Sequence, residues 1–174
     1  MRLQNDEVIV TTATAEDLEE LQELHKEACG YFKFDTERPL TTPKECLERG
    51  ELPENGKPEN YELLTIRIND TMIGYIGVYR EFPSRNAVHI MSLYIGQSAR
   101  GFGFGSRVME LVCRYFYETA YRSICARVSL RNWGALRFLY RHGFNGLRDC
   151  VAPGAESDGC FGCIELSRDL TKRV

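Results

Sequence analysis

The chain has 174 residues, 43% of them apolar and 27% charged, with a formal net charge of −3. That length fits one domain able to bury a core without disulfides or metals, here taken as residues 1–174. The acidic balance argues against a nucleic-acid binder, which carries a basic surplus. No apolar run is long enough for a membrane span, and Met1–Glu7 lacks the apolar core of a signal peptide, so a cytoplasmic protein is expected.

In chain order, Val8–Thr12 is a short β-branched run and reads as a first strand. Thr14-Ala15-Glu16-Asp17 opens a helix with a capping hydroxyl and acids in its first turn. Leu18, Leu21, Leu24 and Ala28 continue it at helical spacing, and Gly30 is expected to end it. Thr42-Pro43-Lys44-Glu45 starts a second helix, with threonine as cap, proline first and glutamate third. Gly50 and Pro53 close that helix, and Glu51–Asn60 reads as a surface loop. Glu62–Asn69, Met72–Phe82 and Ala87–Ile95 then form three strands joined by Asn69-Asp70 and by Pro83-Ser84-Arg85-Asn86, an antiparallel meander.

Ala99-Arg100-Gly101-Phe102-Gly103-Phe104-Gly105-Ser106 follows directly, with glycine at every second position. Val108, Leu111, Val112 and Tyr115 then mark one face of a helix running to Tyr121. A strand, a glycine turn and a helix in that order form an anion site. The glycines let the backbone approach a ligand, and the freed amides at the helix start favour negative charge. The spacing excludes two familiar cradles. A dinucleotide fingerprint needs GxGxxG inside a βαβ unit, and a P-loop needs lysine before the serine.

Ser123–Leu130 reads as a strand parallel to Ala87–Ile95, because a helix joins the two. Asn132 caps a fourth helix that ends at Gly143, and Phe144–Ala152 and Cys160–Ser167 give two last strands. Seven cysteines at irregular spacing read as free thiols. Cys160-Phe161-Gly162-Cys163 has the spacing of a metal-ligand pair, with Cys150 and His142 as the only complement in reach. Buried strand cysteines are the simpler reading, so no metal is expected.

Arg100, Gly103 and Gly105, followed by Asn132, Tyr140 and Gly143-Phe144, resemble the GNAT superfamily of N-acetyltransferases. Its central signature is Arg/Gln-x-x-Gly-x-Gly/Ala. Its second is an asparagine at a strand end, a tyrosine eight residues on, and then Gly-Phe. The resemblance implies an α+β fold over nearly the whole chain. A mostly antiparallel twisted sheet of about seven strands would carry a splayed parallel pair and about four flanking helices. It implies acetyl-CoA as cosubstrate and acetyl transfer to a primary amine by direct attack through a tetrahedral intermediate.

The resemblance also assigns residues. The pyrophosphate would sit on the amides of Arg100, Gly101, Phe102, Gly103, Phe104, Gly105 and Ser106. The pantetheine arm would run along Leu93, Tyr94 and Ile95, with Asn132 reaching it. An amide near Leu93–Ile95 would meet the oxyanion. Tyr140 would protonate the departing thiolate; as a bare sequence feature it reads equally as a core aromatic. Many members carry a glutamate on the strand before the glycine turn. Met91 stands at that place here, and His89, two residues earlier on the same face, is the candidate base or water relay.

The segment Gly30–Tyr61 covers the region expected to line the acceptor site. Between Asp35 and Glu62 stand Asp35, Glu37, Glu45, Glu48, Glu51, Glu54, Glu59 and Glu62 against Arg38, Lys44, Arg49 and Lys57. Such acidity would draw a cationic amine, or simply form a solvated face. Tyr31, Phe32 and Phe34 would wall the pocket or close the core. Two other classes remain open at this level: a CoA-binding sensor without catalysis, and a zinc-stabilised interaction domain built on Cys150, Cys160 and Cys163. A homodimer is also among the expectations, because dimers are common in the family resembled.

Overall fold

The computed structural model describes residues 1–32, 40–119, 121–151 and 162–171. Eight strands form one sheet: β1 (Arg2–Gln4), β2 (Ile9–Thr12), β3 (Tyr61–Ile68), β4 (Thr71–Arg80), β5 (Ala87–Ile95), β6 (Ser123–Ser129), β7 (Gly146–Val151) and β8 (Cys163–Asp169). Their order across the sheet is β1-β2-β3-β4-β5-β6-β8-β7. Every neighbouring pair is antiparallel except β5–β6. The crossover between those two is a helix, as a parallel pair requires. Four helices flank the sheet: α1 (Leu18–Phe32), α2 (Pro43–Glu48), α3 (Phe104–Tyr117) and α4 (Trp133–Arg141). The sheet thus has one strand more than expected. Arg2-Leu3-Gln4 is too short to show a period, and pairing with β2, together with burial of Leu3, makes it a strand.

Two apolar layers hold the sheet. On one face, α3 presents Val108, Leu111, Val112 and Phe116 to Val10, Ile66, Ile76, Val78, Val88 and Ile124. Phe116 is fully buried, and burying a side chain of that kind is worth roughly 1.5–3 kcal/mol. On the other face, α1 and α2 bring Leu21, Ala28 and Cys46 against Leu63, Tyr75 and Tyr94.

Local signals account for the helix ends, with two corrections. The Thr42–Glu45 capping box forms in both directions: Glu45 N donates to Thr42 Oγ1 at 3.3 Å, and Thr42 N donates to Glu45 Oε2 at 3.0 Å. Gly30 does not stop α1, which continues to Phe32. A lone glycine costs a helix only about 1 kcal/mol, and the buried stripe of Leu21 and Ala28 outweighs it. Helix α3 begins at Phe104, four residues before the first residue of its apolar stripe, because Gly103 caps it in the left-handed region at φ 84°.

The feature that matters most for function lies between β5 and β6. Their pairing runs from Ala87↔Ser123 to Ile90↔Ala126 and stops there. Beyond that point β5 stays with β4 as far as Gly74↔Ile95, while β6 stays with β8 as far as Ser129↔Cys163. The sheet therefore opens in a V. A bulge sits at its apex: Val78 pairs with Ile90 and Gly77 with Ser92, leaving Met91 as the extra residue. A bulge bends its strand and increases the local twist. It also interrupts the simple two-residue alternation between His89 and Met91, both of which line one cleft.

Candidate active site

The V opens into a cleft of about 1030 Å³. Its walls are β5 from His89 to Leu93, β6 from Ala126 to Ser129, and the inner face of α4, with Asn132, Ala135, Phe138 and Leu139. On the α1–α2 side it continues past Leu21, His25, Cys46, Glu51 and Tyr75. The cleft therefore reaches both faces of the sheet.

At the α3 side stands the glycine turn. Gly101 and Gly103 have φ of 83° and 84°, a conformation that L side chains rarely adopt. Among the described residues, no amide from Gly101 to Ser106 donates to a backbone carbonyl, as expected for a turn leading into the first turn of a helix. These N–H groups and the α3 dipole suit a pyrophosphate. Gly105 packs beside Phe138 and Ile95, and Phe138 lines the cleft, so the turn and the cleft are contiguous. The Arg100 amide, expected in the same cradle, donates to the Gln97 carbonyl at 3.3 Å, and the Arg100 side chain is held by the fold as well. Its Nε donates to the Ile95 carbonyl at 2.8 Å, and its guanidinium carbon stands 5.0 Å from the Tyr94 ring centre. Ser106 Oγ lies 3.0 Å from His142 Nε2, which ties α3 to the end of α4. Phe102 is exposed, and its ring lies near that of Phe104.

Along β5, the main chain of Leu93, Tyr94 and Ile95 is paired with β4 on one side only. Its other edge is the one β6 has left, and a strand edge suits an extended polar ligand. Tyr94 turns its ring into the α1-side core, 5.7 Å from that of Tyr75. Asn132 Oδ1 accepts from Ala135 N at 2.9 Å, so Asn132 caps α4 while lining the cleft.

Tyr140 does not reach this cleft. It is 70% exposed and lines a separate shallow depression with Trp133, Arg137 and Leu147. The reason is helical geometry. Two turns span about 7.2 residues, so the residue seven after Asn132 shares its face and the eighth lies roughly 80° further round. Leu139, 6% exposed, is the residue that lines the cleft. The acid role expected of Tyr140 is therefore not carried forward.

His89 is 5% exposed and lines the cleft; among the described residues neither ring nitrogen has a hydrogen-bond partner, and Nε2 stands 3.7 Å from Glu165 Oε2. The Phe82 ring stands edge-on at 5.4 Å. Glu51 is a second group that spacing alone did not distinguish from its acidic neighbours. It lines the cleft on the acceptor side, and burial pushes its carboxyl up to about 7. Near it the Tyr61 hydroxyl is buried without a hydrogen-bond partner. A side chain at Gly77 would meet both this hydroxyl, at 2.8 Å, and Ser92 Oγ, at 2.9 Å, so glycine keeps that corner open. His25 also lines the cleft, and desolvation lowers its pKa.

Among the described residues the cysteines form no metal-binding group with His, Asp or Glu. Cys150 pairs with Ile164, one residue along from Cys163 on β8, so alternation places Cys150 and Cys163 on opposite faces. His142 is engaged with Ser106, and Cys160, like Asp35, Glu37, Arg38 and Phe34, lies outside the described residues. The side chains of Tyr31 and Phe32 lie outside them as well.

A family model for the acetyltransferase (GNAT) family matches residues 18–144. The chain belongs to that family. Among curated proteins none matches the sequence significantly. Solved structures with this GNAT fold do. A ribosomal L7/L12 α-N-protein acetyltransferase in complex with coenzyme A is 15% identical, with a TM-score of 0.76 over 97% of this chain and 98% of that one. The ribosomal-protein-S18-alanine N-acetyltransferase of Escherichia coli is 12% identical, with a TM-score of 0.70 over 96% of each chain. A putative phosphinothricin N-acetyltransferase is 21% identical, with a TM-score of 0.70 over 95% of this chain and 99% of that one. At these identities the likeness concerns the fold: the mixed sheet, the parallel β5–β6 pair and the helices around it. No helix among the described residues is long and apolar enough to cross a membrane.

Proposed function

We propose that this GNAT protein is a single-domain, acetyl-CoA-dependent N-acetyltransferase acting on a primary amine that is cationic in solution. The observation that carries the reading is the cleft opened where β5 leaves β6, with the amides of the glycine turn beside it and a buried imidazole in its wall. The amides of Gly101–Ser106 would hold the pyrophosphate, and the free edge of β5 with Asn132 would hold the pantetheine arm. Acetyl-CoA supplies an activated acyl group, a thioester that a neutral amine can attack directly.

The chain's own groups then have three tasks. Glu51, once ionised above about pH 7, attracts the ammonium form of the acceptor into the pocket. His89 takes a proton from it, directly or through one water, because only the neutral amine is a nucleophile; an alkyl ammonium has a pKa of about 10.4 and needs that help at neutral pH. A main-chain amide of β5 near Leu93–Ile95 donates to the acyl oxygen as negative charge builds there. A thiol of pKa about 8.5 is acidic enough that its thiolate departs without a phenol.

The test is a panel of amines followed by free-thiol release: a polyamine, an aminoglycoside, free amino acids and a peptide with a free N-terminus. The protein α-amine belongs in the panel because two of the similar structures are acetyltransferases of ribosomal proteins. Thiol release with at least one amine is expected. Acetyl-CoA should also raise the melting temperature, as any ligand of the native state does; no shift at millimolar acetyl-CoA overturns the reading. The absence of Tyr140 from the cleft favours one second reading, a CoA-binding sensor that does not catalyse. That reading wins if acetyl-CoA binds and no amine releases thiol. Cys46, Cys113 and Cys125 are buried, free thiols, which supports a reducing, cytoplasmic setting. The homodimer expectation is tested by light scattering.

A further inference from the structure

Behind His89, on the same sheet face, lies a buried carboxylate that the reading above does not use. Glu165 on β8 is 5% exposed. His89 Nε2 stands 3.7 Å from its Oε2. Arg127 Nη2 on β6 stands 3.6 Å from the same oxygen, and Arg148 Nε on β7 stands 3.7 Å from Oε1. The register explains the gathering. Arg127 pairs directly with Glu165 across β6–β8, and His89 pairs with Cys125 across β5–β6, two residues from Arg127. Contact with His89 holds Glu165 below the usual carboxylate range, and the charges of Arg127 and Arg148 add to this against burial.

An unpaired buried carboxylate is costly, so a merely structural Glu165 would need only its two arginines, both of which reach solvent. The third neighbour is the one facing the cleft. On the other elements packed around it, His89 meets Tyr79 of β4, whose hydroxyl accepts from Lys57 N at 2.6 Å, Cys125 of β6 and the Phe82 ring. None of these is a fixed anion.

We propose that Glu165 is a positioning residue for His89: its carboxylate, 3.7 Å from Nε2, favours the proton on that nitrogen and leaves Nδ1 as the proton acceptor. A carboxylate can only accept, so it fixes which nitrogen carries the proton. Arg127 and Arg148 keep that carboxylate ionised and in register. The inference rests on His89 being the base proposed above.

The experiment uses the full chain, with imidazole ¹⁵N shifts for His89 and steady-state rates on the best amine of the panel. In the wild type, the His89 ring is expected to carry a proton on Nε2; an Nδ1–H tautomer overturns the inference without any variant. Glu165→Gln removes the charge at nearly constant shape, and a carboxamide both donates and accepts, so the tautomer is no longer fixed. Its kcat should fall roughly 10- to 100-fold with the KM for acetyl-CoA unchanged. Adding Glu165→Gln to His89→Gln should cost nothing further, because Glu165 acts only through His89. A fixed tautomer and unchanged kcat in Glu165→Gln, beside a slow His89→Gln, overturn the inference and leave the base reading standing. A fast His89→Gln removes the base reading and the catalytic role given to Glu165 together. A melting curve on Glu165→Gln separates a fold defect from a positioning defect.

Discussion

The two ends of the cleft are built in different ways. The end proposed for the donor is main chain: six consecutive residues from Gly101 to Ser106 and the edge of β5 that β6 has left. The end proposed for the acceptor is made of side chains. His89 comes from β5 and Glu51 from the loop after α2, with Glu165 behind them on β8. Backbone donors depend on conformation and tolerate many side chains. A side-chain site depends on the identity of each residue and on the tertiary fold that brings them together. The donor end should therefore break when the backbone is strained and the acceptor end when a functional group is removed, with little crossover.

The largest effect is expected at the donor end. Gly103→Glu forces a side chain onto φ 84°, with its Cβ 3.0 Å from the Arg107 guanidinium, and brings negative charge to an anion site. Calorimetry should find acetyl-CoA binding lost. Gly105→Ala is the control, since its added Cβ makes ordinary contact with Phe138 at 3.5 Å; its affinity should stay within a few-fold. Equal loss in both variants would mean that backbone conformation is not what the donor end requires.

Next comes the base. His89→Gln should lower kcat by roughly 10²- to 10⁴-fold, with acetyl-CoA affinity unchanged by calorimetry. A matching fall in acetyl-CoA affinity would erase the division between the two ends.

Glu51→Gln is expected to raise the KM for the amine about tenfold and to alter stability with a sign that can be checked. The folded-state pKa of Glu51 is raised to about 7 from 4.5. The folded protein therefore holds this proton more tightly than the unfolded chain. That contribution is complete below about pH 4.5 and is lost as pH rises to about 7. Denaturant melts should show Glu51→Gln gaining on the wild type across this window, reaching about 1–3 kcal/mol at pH 8. A constant difference across the window would mean that the Glu51 carboxyl is not desolvated.

The smallest effect is expected at Tyr140. Tyr140→Phe should change kcat by less than about twofold, because the hydroxyl lies on the outer face of α4. A large loss would return Tyr140 to the reaction and would require α4 to turn.

The sequence was most legible where function is contiguous. Arg100, Gly103 and Gly105 marked the turn, Asn132 and Gly143-Phe144 bracketed α4, and the crossover helix implied a parallel β5–β6 pair. It misled where spacing had to be converted into direction. Eight residues along a helix led to Tyr140 when the cleft side belongs to Leu139, and a bulge at Met91 interrupts the two-residue alternation that related it to His89. Glu165 was visible as an acid among Cys163, Ile164 and Leu166, yet nothing in that run names His89 as its neighbour.

By itself, then, the sequence determined the local chemistry: which segments are strands and helices, where the backbone must take a left-handed turn, and which family they belong to. These follow from short-range sterics, periodicity and capping, all set within a few residues. Only the tertiary structure decided which groups face the cleft. That depends on the β5–β6 pairing ending at Ile90↔Ala126, on the bulge at Met91, and on β8 inserting beside β6 to bring Glu165 to His89. Those are contacts between residues up to 76 positions apart, and no local preference encodes them.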